Sequence, residues 1–254
     1  MKCGVCGFDS KKVFDSVILG KYNAGYFLCS KCGFLQIENP TWLKEAYVKS
    51  ITDSDTGIVS RCTYFTKVTS ALIFFFFKKD AKFLDYGGGY GTFTRMMRDI
   101  GFDFYTVDPY TENLLARGFD YNKEKNENIN LITCFECFEH FQEPIKEIDK
   151  MLKISRNIFF STWLLPSPVP EPKNWWYYAL EHGQHISFYS KKTFEYIARK
   201  YSLNFYSFGN RHLLTEKKLN PLLVFFVVKF NMLLFPIIRN SVLSKTSSDM
   251  MVKK

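Results

Sequence analysis

Four cysteines near the start of the chain have the spacing of a metal site. Cys3 and Cys6 form one Cys-x-x-Cys pair, and Cys29 and Cys32 form a second pair after 22 intervening residues. Each two-residue spacer lets two thiolates bind one ion, and two such pairs complete a closed tetrahedral Zn²⁺ site. Because a closed site has no free coordination position, we expect this zinc ion to be structural.

A glycine-rich turn follows a short apolar run in the middle of the chain. Asp85, Gly87, Gly89 and Gly91 give the order Asp-x-Gly-x-Gly-x-Gly. Glycines at the carboxyl end of a strand let the backbone come within contact distance of a ligand. The dinucleotide fingerprint is Gly-x-Gly-x-x-Gly, and Thr92 stands where it needs its third glycine. The spacing therefore argues against a dinucleotide pyrophosphate.

An acidic residue complements this loop. Asp108 lies 23 residues after Asp85, at the end of the next predicted strand. A carboxylate in that position can accept hydrogen bonds from both hydroxyls of a ribose. The loop and the acid therefore predict one crevice that binds a nucleoside group.

Proton transfer has several candidate side chains. The four histidines are at positions 140, 182, 185 and 212, and the first three are expected in loops at the ligand end of the sheet. Imidazole is suited to this work because its ordinary pKa lies near neutral pH. We take His185, His182 and Glu139 as the candidate general bases. For each histidine, the alternative is a structural role with both ring nitrogens hydrogen-bonded.

The elements that must position these residues alternate between strand and helix from residue 81 onward. Strands are predicted at 81–84, 104–107, 129–135, 157–161 and as a pair within 203–214; helices are predicted at 93–100, from Pro144, and after Ser190. Such alternation predicts an α/β fold with a mostly parallel, Rossmann-like sheet and helices on both faces. A small zinc-ribbon-like module precedes it.

With these motifs in place, the chain resembles the class I S-adenosylmethionine-dependent methyltransferases over roughly residues 55 to 215. The first motif of that family is matched from Asp85 to Gly91, and its ribose-binding acid by Asp108. The resemblance implies S-adenosyl-L-methionine as cofactor and methyl transfer as the activity. It also implies that these residues bind the cofactor.

Two further segments carry the resemblance. Residues 133–140 resemble the x-E-V-x-E-H run of many small-molecule methyltransferases, which implies that Cys134, Phe135 and Glu136 lie near the methionine part of the cofactor. The stretch from Gly183 to Ser190 resembles a segment that recurs before a helix in such enzymes. That likeness favours His185 as the base that faces the acceptor.

The acceptor is predicted to be a small molecule. A four-cysteine head before such a domain resembles enzymes that methylate sugars or natural-product intermediates, although some ribosomal RNA methyltransferases also carry zinc heads. The fourth strand lacks the Asp/Asn-Pro-Pro-Tyr/Phe run of base-amine methylation, and there is no dense basic stripe. We therefore expect a sugar, a nucleotide-linked sugar, or a capsule or polysaccharide precursor. Nucleic acid is not the expected partner.

The net charge allows an anionic acceptor. The formal value is +9, and a four-thiolate zinc site would lower it by about 2. A phosphorylated or phosphoramidate-bearing precursor is compatible with this excess. Two alternatives remain open: an RNA methyltransferase whose zinc ribbon binds RNA, and a non-catalytic module that binds the cofactor.

The predicted organisation has four parts: a zinc-binding module at 1–40, a helical linker and cofactor-covering helix at 41–80, the methyltransferase domain at 81–215, and an apolar helix and tail at 216–254.

Lys229 interrupts the apolar run Leu222 to Ile238, which argues against a transmembrane span. We expect a buried helix or a homodimer contact through 219–240, with peripheral membrane contact as the alternative. The N-terminal residues lack the apolar stretch of a signal peptide, so we expect cytoplasmic localisation. Peripheral attachment to the inner face of the membrane is the alternative location.

Overall fold

A computed structural model describes residues 1–48 and 55–251. These residues form two compact units. The first unit contains 1–48, Glu136–Met151 and Phe160–Leu214, and the second contains 55–135, Leu152–Phe159 and 215–251. The chain therefore returns to each unit more than once. The four-part organisation expected from the sequence stays a prediction.

The strands are β1 (Ser10–Ile18), β2 (Tyr22–Cys29), β3 (Leu35–Ile37), β4 (Lys82–Tyr86), β5 (Asp103–Val107), β6 (Ile129–Cys134), β7 (Asn157–Ser161), β8 (Ser187–Phe188), β9 (Asn204–Phe208) and β10 (Arg211–Thr215). The helices are α1 (Leu43–Ala46), α2 (Ile58–Phe76), α3 (Thr92–Ile100), α4 (Pro144–Leu152), α5 (Lys191–Tyr201), α6 (Pro221–Lys229), α7 (Asn231–Ser241) and α8 (Thr246–Met251). Single 3₁₀ turns lie at Phe138–His140, Pro172–Asn174 and Trp176–Tyr178.

The larger sheet has six strands in the order β5-β4-β6-β7-β10-β9. Strand β4 pairs in parallel with both β5 and β6. Every residue of β7, and all but one of β6, is buried, as expected for parallel strands that are covered on both faces. The predicted α/β fold, with a mostly parallel sheet flanked by helices, is confirmed.

Strand order explains where a ligand can bind in the second unit. Because β4, β5 and β6 are parallel neighbours, the residues that follow their carboxyl ends lie at one edge of the sheet. Those residues are the glycine loop, Asp108 and Phe135. Helix α3 begins directly after the loop, with Phe93, Met97 and Ile100 buried, and ends before Gly101 at φ 137°. The predicted 93–100 helix is thus observed.

A buried ion pair joins helix α8 to helix α3 within the second unit. The Arg98 guanidinium donates to both carboxylate oxygens of Asp249, at 2.8 Å each. A third hydrogen bond runs from Arg98 to Asp103 at 2.6 Å. The side chains of Arg98 and Asp249 are only 5% and 7% exposed, and Arg95 also donates to Asp249 at 2.9 Å, so this buried carboxylate is paired with two guanidinium groups.

The apolar segment near the end of the chain differs from the single buried helix that its composition suggested. Helices α6 and α7 meet at an angle of 83°. The break between the two helices lies at Phe230. There the Asn231 side chain donates a hydrogen bond to the Val228 carbonyl at 2.7 Å, which replaces a helical hydrogen bond that the bend removes. Within residues 1–48 and 55–251, no single helix is long and apolar enough to cross a membrane, and α6 and α7 meet that test only as a bent pair.

The smaller sheet lies in the first unit and has the order β1-β2-β3-β8. Its core is aromatic: the Tyr26 ring contacts Phe14 at 4.6 Å and Tyr178 at 5.4 Å between centroids. The Trp42 indole N–H donates to the Gly183 carbonyl at 2.8 Å. These contacts hold the segment 177–188 against the sheet, and with it the histidines that the sequence singled out.

Candidate functional site

The glycine loop of the second unit rests on a buried carboxyl group. Asp85 is the penultimate residue of β4 and is 3% exposed. Its two carboxylate oxygens accept hydrogen bonds from Thr133 Oγ1 at 2.8 Å and Thr94 Oγ1 at 3.4 Å. Burial raises the pKa of Asp85 to about 7, although both threonine hydrogen bonds oppose the shift. The buried Asp85 side chain therefore supports the backbone of the glycine loop.

Gly88 is the glycine that packs most tightly on this support. A Cβ at Gly88 would lie 2.1 Å from Thr106 Oγ1 and 2.6 Å from Asp85 Oδ2. Any side chain there would lift the loop off the strand. The motif treats this position as variable, so the motif does not predict a requirement for glycine there. Three consecutive glycines at 87–89 were the available signal.

The three glycines chosen from the motif have different surroundings. Gly89 has φ +53°, and a Cβ there would meet no described atom within 4 Å. Gly91 is packed against protein, since its Cβ would lie 2.3 Å from Asn113 Oδ1. Gly87 donates its N–H to the Val107 carbonyl at 2.8 Å. Gly89 is thus the predicted position with open space beside the loop.

Asp108 lies directly against the open side of the loop. Its Oδ2 accepts the N–H of Gly89 at 3.0 Å. Its Oδ1 accepts the N–H groups of Tyr110 at 2.8 Å and Thr111 at 2.9 Å. These three bonds fix the orientation of the carboxylate and leave lone pairs on both oxygens for further donors. The structure therefore brings together Gly89 and Asp108, as the sequence predicted.

Cys134 is the last residue of β6, and Phe135 follows it directly. Cys134 is fully buried. The Phe135 ring stacks on Phe65 at 4.1 Å between centroids and meets Phe93 edge-on at 5.1 Å. The Cys134 side chain is therefore closed to a ligand, whereas the Phe135 ring is only half-buried. Their contact with a cofactor stays a prediction.

Glu136 begins the next part of the first unit with an uncommon backbone conformation. Its φ is +52°, in the left-handed region where a non-glycine residue is strained. Its N–H donates to Ser161 Oγ at 2.9 Å, and the Ser161 hydroxyl donates in turn to the Glu136 carboxylate. This reciprocal pair holds the carboxylate in one orientation. The contact of Glu136 with the cofactor stays a prediction.

The candidate bases converge in the first unit. One donor atom from each of Glu139, His140 and His185 lies within 4.8 Å of the others. The His182 and His185 rings are 5.1 Å apart between centroids. All three predicted bases are thus brought together, and His140 joins them. Two imidazoles and one carboxyl group are also donor types that bind a divalent metal ion.

Hydrogen bonds to main-chain carbonyls orient two of these rings. His185 Nδ1 lies 2.7 Å from the Tyr177 carbonyl, and His140 Nδ1 lies 3.1 Å from that of Gln184. Because a carbonyl only accepts, Nδ1 of His185 carries the proton and its Nε2 keeps a lone pair, whereas the His140 ring also contacts the backbone of Glu136. Burial lowers the pKa of His140, and burial with the neighbouring His140 and His182 rings lowers that of His185 well below 6.5. Both imidazoles are therefore neutral at pH 7.

Glu139 and Tyr177 are the other two residues of this cluster. Glu139 is fully buried, and burial together with Glu139 and Glu136 raises the pKa of the Tyr177 phenol well above its usual value. The contact of Tyr177 with His185 was not predicted, because only the fold brings the two rings to 4.7 Å between centroids. His212, by contrast, lies between Thr162 and Ser207 with both ring nitrogens at 3.0 Å from oxygen partners, a structural arrangement.

Comparison with known families bears directly on these two sites. A family model described as a methyltransferase domain matches residues 62–207. The chain belongs to this methyltransferase family. The matched range includes the glycine loop, Asp108 and the histidine cluster, and the prediction of a methyltransferase is confirmed.

Several solved structures are similar to the methyltransferase at low identity. An O-methyltransferase family protein from Burkholderia thailandensis is 16% identical over 62% of this chain and 56% of its own, with a TM-score of 0.48. The plantazolicin methyltransferase BpumL with SAH is 15% identical over 79% and 90%, with a TM-score of 0.46. Magnesium protoporphyrin IX methyltransferase (ChlM) from Synechocystis PCC 6803 with bound SAH is 12% identical over 68% and 91%, with a TM-score of 0.46. The chain thus spans little more than half of the first of these proteins. A search of curated proteins found no match.

The four N-terminal cysteines of the methyltransferase form one cluster in the first unit. The sulfur atoms of Cys3 and Cys32 are 3.5 Å apart, and those of Cys6 and Cys29 are 3.4 Å apart. All four sulfur atoms lie within 4.8 Å of one another. Four thiolates at tetrahedral corners about 2.3 Å from a zinc ion would have similar separations. The donor set and its geometry therefore fit Zn²⁺.

Proposed function

We propose that this methyltransferase transfers the methyl group of S-adenosyl-L-methionine to a small-molecule acceptor: a sugar, a nucleotide-linked sugar, or a capsule or polysaccharide precursor. The observation that carries the cofactor assignment is the pairing of Gly89 with Asp108. Beside Gly89 there is space for a ligand, and the Asp108 carboxylate is held by three N–H groups at the same place. An adenosyl ribose would donate its two hydroxyls to that carboxylate.

When bound, S-adenosyl-L-methionine would supply a methyl group on a sulfonium: the acceptor would form a bond to the methyl carbon in line with the breaking S–C bond, and S-adenosyl-L-homocysteine would leave as a thioether. Asp108 binds the ribose hydroxyls, and Gly89 allows the backbone to approach the ligand closely. The backbone of Cys134 and Phe135 and the oriented carboxylate of Glu136 bind the methionine part in this proposal. Alignment of the acceptor with the methyl group is the main catalytic contribution expected of such a site.

Removal of the acceptor proton is assigned to His185. Its Nδ1–H bond to the Tyr177 carbonyl directs the lone pair to Nε2, and the lowered pKa keeps the ring neutral and able to accept a proton. The carboxyl group of Glu139 lies close enough to stabilise the imidazolium that forms. His140 and His182 flank this ring and position it.

The acceptor class is tested by a mass-shift assay with the intact protein. We expect sugar nucleotides or phosphorylated sugars to gain the mass of one methylene group when S-adenosyl-L-methionine is present, and RNA to gain none. Methylated RNA alone would contradict the acceptor class and favour the RNA methyltransferase. Cofactor binding without a product in either pool would favour the non-catalytic module. The same assay in EDTA shows whether the histidine cluster acts through a metal ion.

We further propose that Cys3, Cys6, Cys29 and Cys32 hold a structural zinc ion. The metal would link the strand β2 to the turn before β1, since the quartet comes from both segments. Thiolates of this kind persist in a reducing compartment, which is why we retain cytoplasmic localisation as a proposal.

Replacement of Cys29 by serine is expected to remove the zinc and to lower the melting temperature by about 10 °C. That shift corresponds to a loss of about 4 kcal/mol in a domain of this size, as expected when a structural metal is lost. Elemental analysis and thermal unfolding measure the two effects. Cys62→Ser is the control, because Cys62 lies outside the quartet. Wild-type protein purified without zinc would contradict the proposal.

A further inference from the structure

Helices α6 and α7 expose an unusual number of large apolar side chains. Leu233 is 72% exposed, Leu222 69% and Ile237 67%. Leu223, Phe226 and Met232 are each about half exposed. Isolated apolar residues on a surface are ordinary, but a contiguous group on two adjoining helices marks an interaction surface. We call the exposed side chains of Pro221–Ser241 the α6–α7 surface.

The opposite side of these helices already has its partner within the second unit. Helix α6 buries Val224, Val227 and Val228, at the i, i+3 and i+4 spacing of one helical face. Helices α6 and α7 both contact α2. The rings of Phe226 and Phe230 stack at 5.8 Å on the exposed side. The α6–α7 surface is therefore an additional apolar face beyond the one that the fold requires.

The charged residues within the segment that carries this surface all have one sign. The segment from Lys217 to Ser248 contains five basic residues and no acidic residue. Lys229 Nζ lies 5.4 Å from the ring centroid of Phe225 and 5.6 Å from that of Phe230, so a cation stands among the exposed aromatic rings. Arg239 is exposed on the next helix. Apolar and basic side chains are thus interleaved.

We propose that the α6–α7 surface binds the interface of an anionic lipid membrane, with both helices lying in the plane of the bilayer. Exposed leucine and phenylalanine side chains would enter the headgroup region, and the lysine and arginine residues would pair with anionic lipid. The helices have 9 and 11 residues and bend by 83°, which suits an in-plane arrangement better than a span of about 20 residues.

A second copy of the chain fits this surface less well. A twofold interface would bring the same surface of each copy together. Its basic residues would then face one another with no acidic residue in the segment to compensate them. Anionic lipid complements both the apolar and the basic groups, whereas a second copy complements only the apolar ones.

Vesicle flotation with the full chain tests the proposal. We expect binding to vesicles that contain phosphatidylglycerol, weaker binding to pure phosphatidylcholine, and a decline of binding as salt is raised, because surface charge is screened. Replacement of Phe226 and Leu233 by serine is expected to lower the partition coefficient about 100-fold, roughly tenfold for each side chain. The Lys229→Gln and Arg239→Gln changes are expected to lower it about fivefold each on the anionic vesicles.

The matched control replaces Val13 and Val17, two exposed apolar residues of β1, by serine. This variant should bind vesicles like the wild type. Circular dichroism checks that each variant is folded. Absence of vesicle binding overturns the proposal, and sedimentation velocity then identifies the second-copy alternative: a dimer that Phe226→Ser and Leu233→Ser convert to monomer.

Discussion

The His185→Ala enzyme is expected to lose turnover by about 100- to 10,000-fold while it keeps its affinity for S-adenosyl-L-methionine. His185 is the imidazole whose Nδ1 is committed to a main-chain carbonyl and whose Nε2 is left to take a proton. The cofactor residues Gly89 and Asp108 belong to other segments of the chain, so their geometry should persist. Methyl transfer gives kcat, and isothermal titration gives the cofactor Kd.

His182→Ala is the control for this change. His182 lies beside His185, but its Nδ1 accepts the N–H of Gln184 at 3.3 Å, so its part is to position the neighbouring ring. We expect the control to retain turnover within about tenfold of the wild type. Wild-type turnover in His185→Ala would remove His185 as the base, and loss of cofactor binding would show a structural role instead.

The pH dependence of turnover gives an independent check on the same residue. The pKa of His185 lies well below 6.5, so the ring is already neutral and able to act as a base at pH 6.5 and above. If proton removal by His185 limits turnover, kcat should be constant above pH 6.5. It should fall as the pH drops through the lowered pKa of His185, because the ring then becomes protonated. A rate that still climbs steeply between about pH 7 and 9 would point to another titrating group.

Gly89→Ala is expected to weaken cofactor binding about 100-fold, which corresponds to about 3 kcal/mol of steric conflict. A methyl group at this position would occupy the space beside the Asp108 carboxylate that the ribose is proposed to fill. Turnover at saturating cofactor should recover in part, because the change acts on binding. Isothermal titration with S-adenosyl-L-methionine or its demethylated product measures the loss.

Gly20→Ala separates this effect from backbone strain. Gly20 lies in the turn between β1 and β2 with φ +69°, and a Cβ there would meet no described atom within 4 Å. Both substitutions therefore place alanine in the left-handed region and should reduce stability by a similar amount, about 1 kcal/mol. Equal cofactor affinity in the two variants would contradict the assignment of Gly89 to the cofactor site.

Local spacing was enough to predict much of the fold. Helix α3 was predicted from apolar residues at i, i+3, i+4 and i+7 and from the glycine that follows, because these signals act within a few turns of one helix. The alternation of strand and helix indicated the parallel sheet, and Asp85, the glycines and Asp108 indicated the nucleoside crevice for the same reason. Each of these signals is contained in a short stretch of chain.

Long-range packing determined the rest, because it depends on residues that are distant in sequence. Thr133 supports Asp85 from 48 positions away, and Tyr177 orients His185 only because the aromatic core folds their segment back on itself. The requirement for glycine at position 88 arises from Thr106 on a neighbouring strand. Apolar composition could not show whether Leu222 to Ile238 was buried. That depended on which helical face met α2, and the packing left many large apolar side chains of the segment exposed.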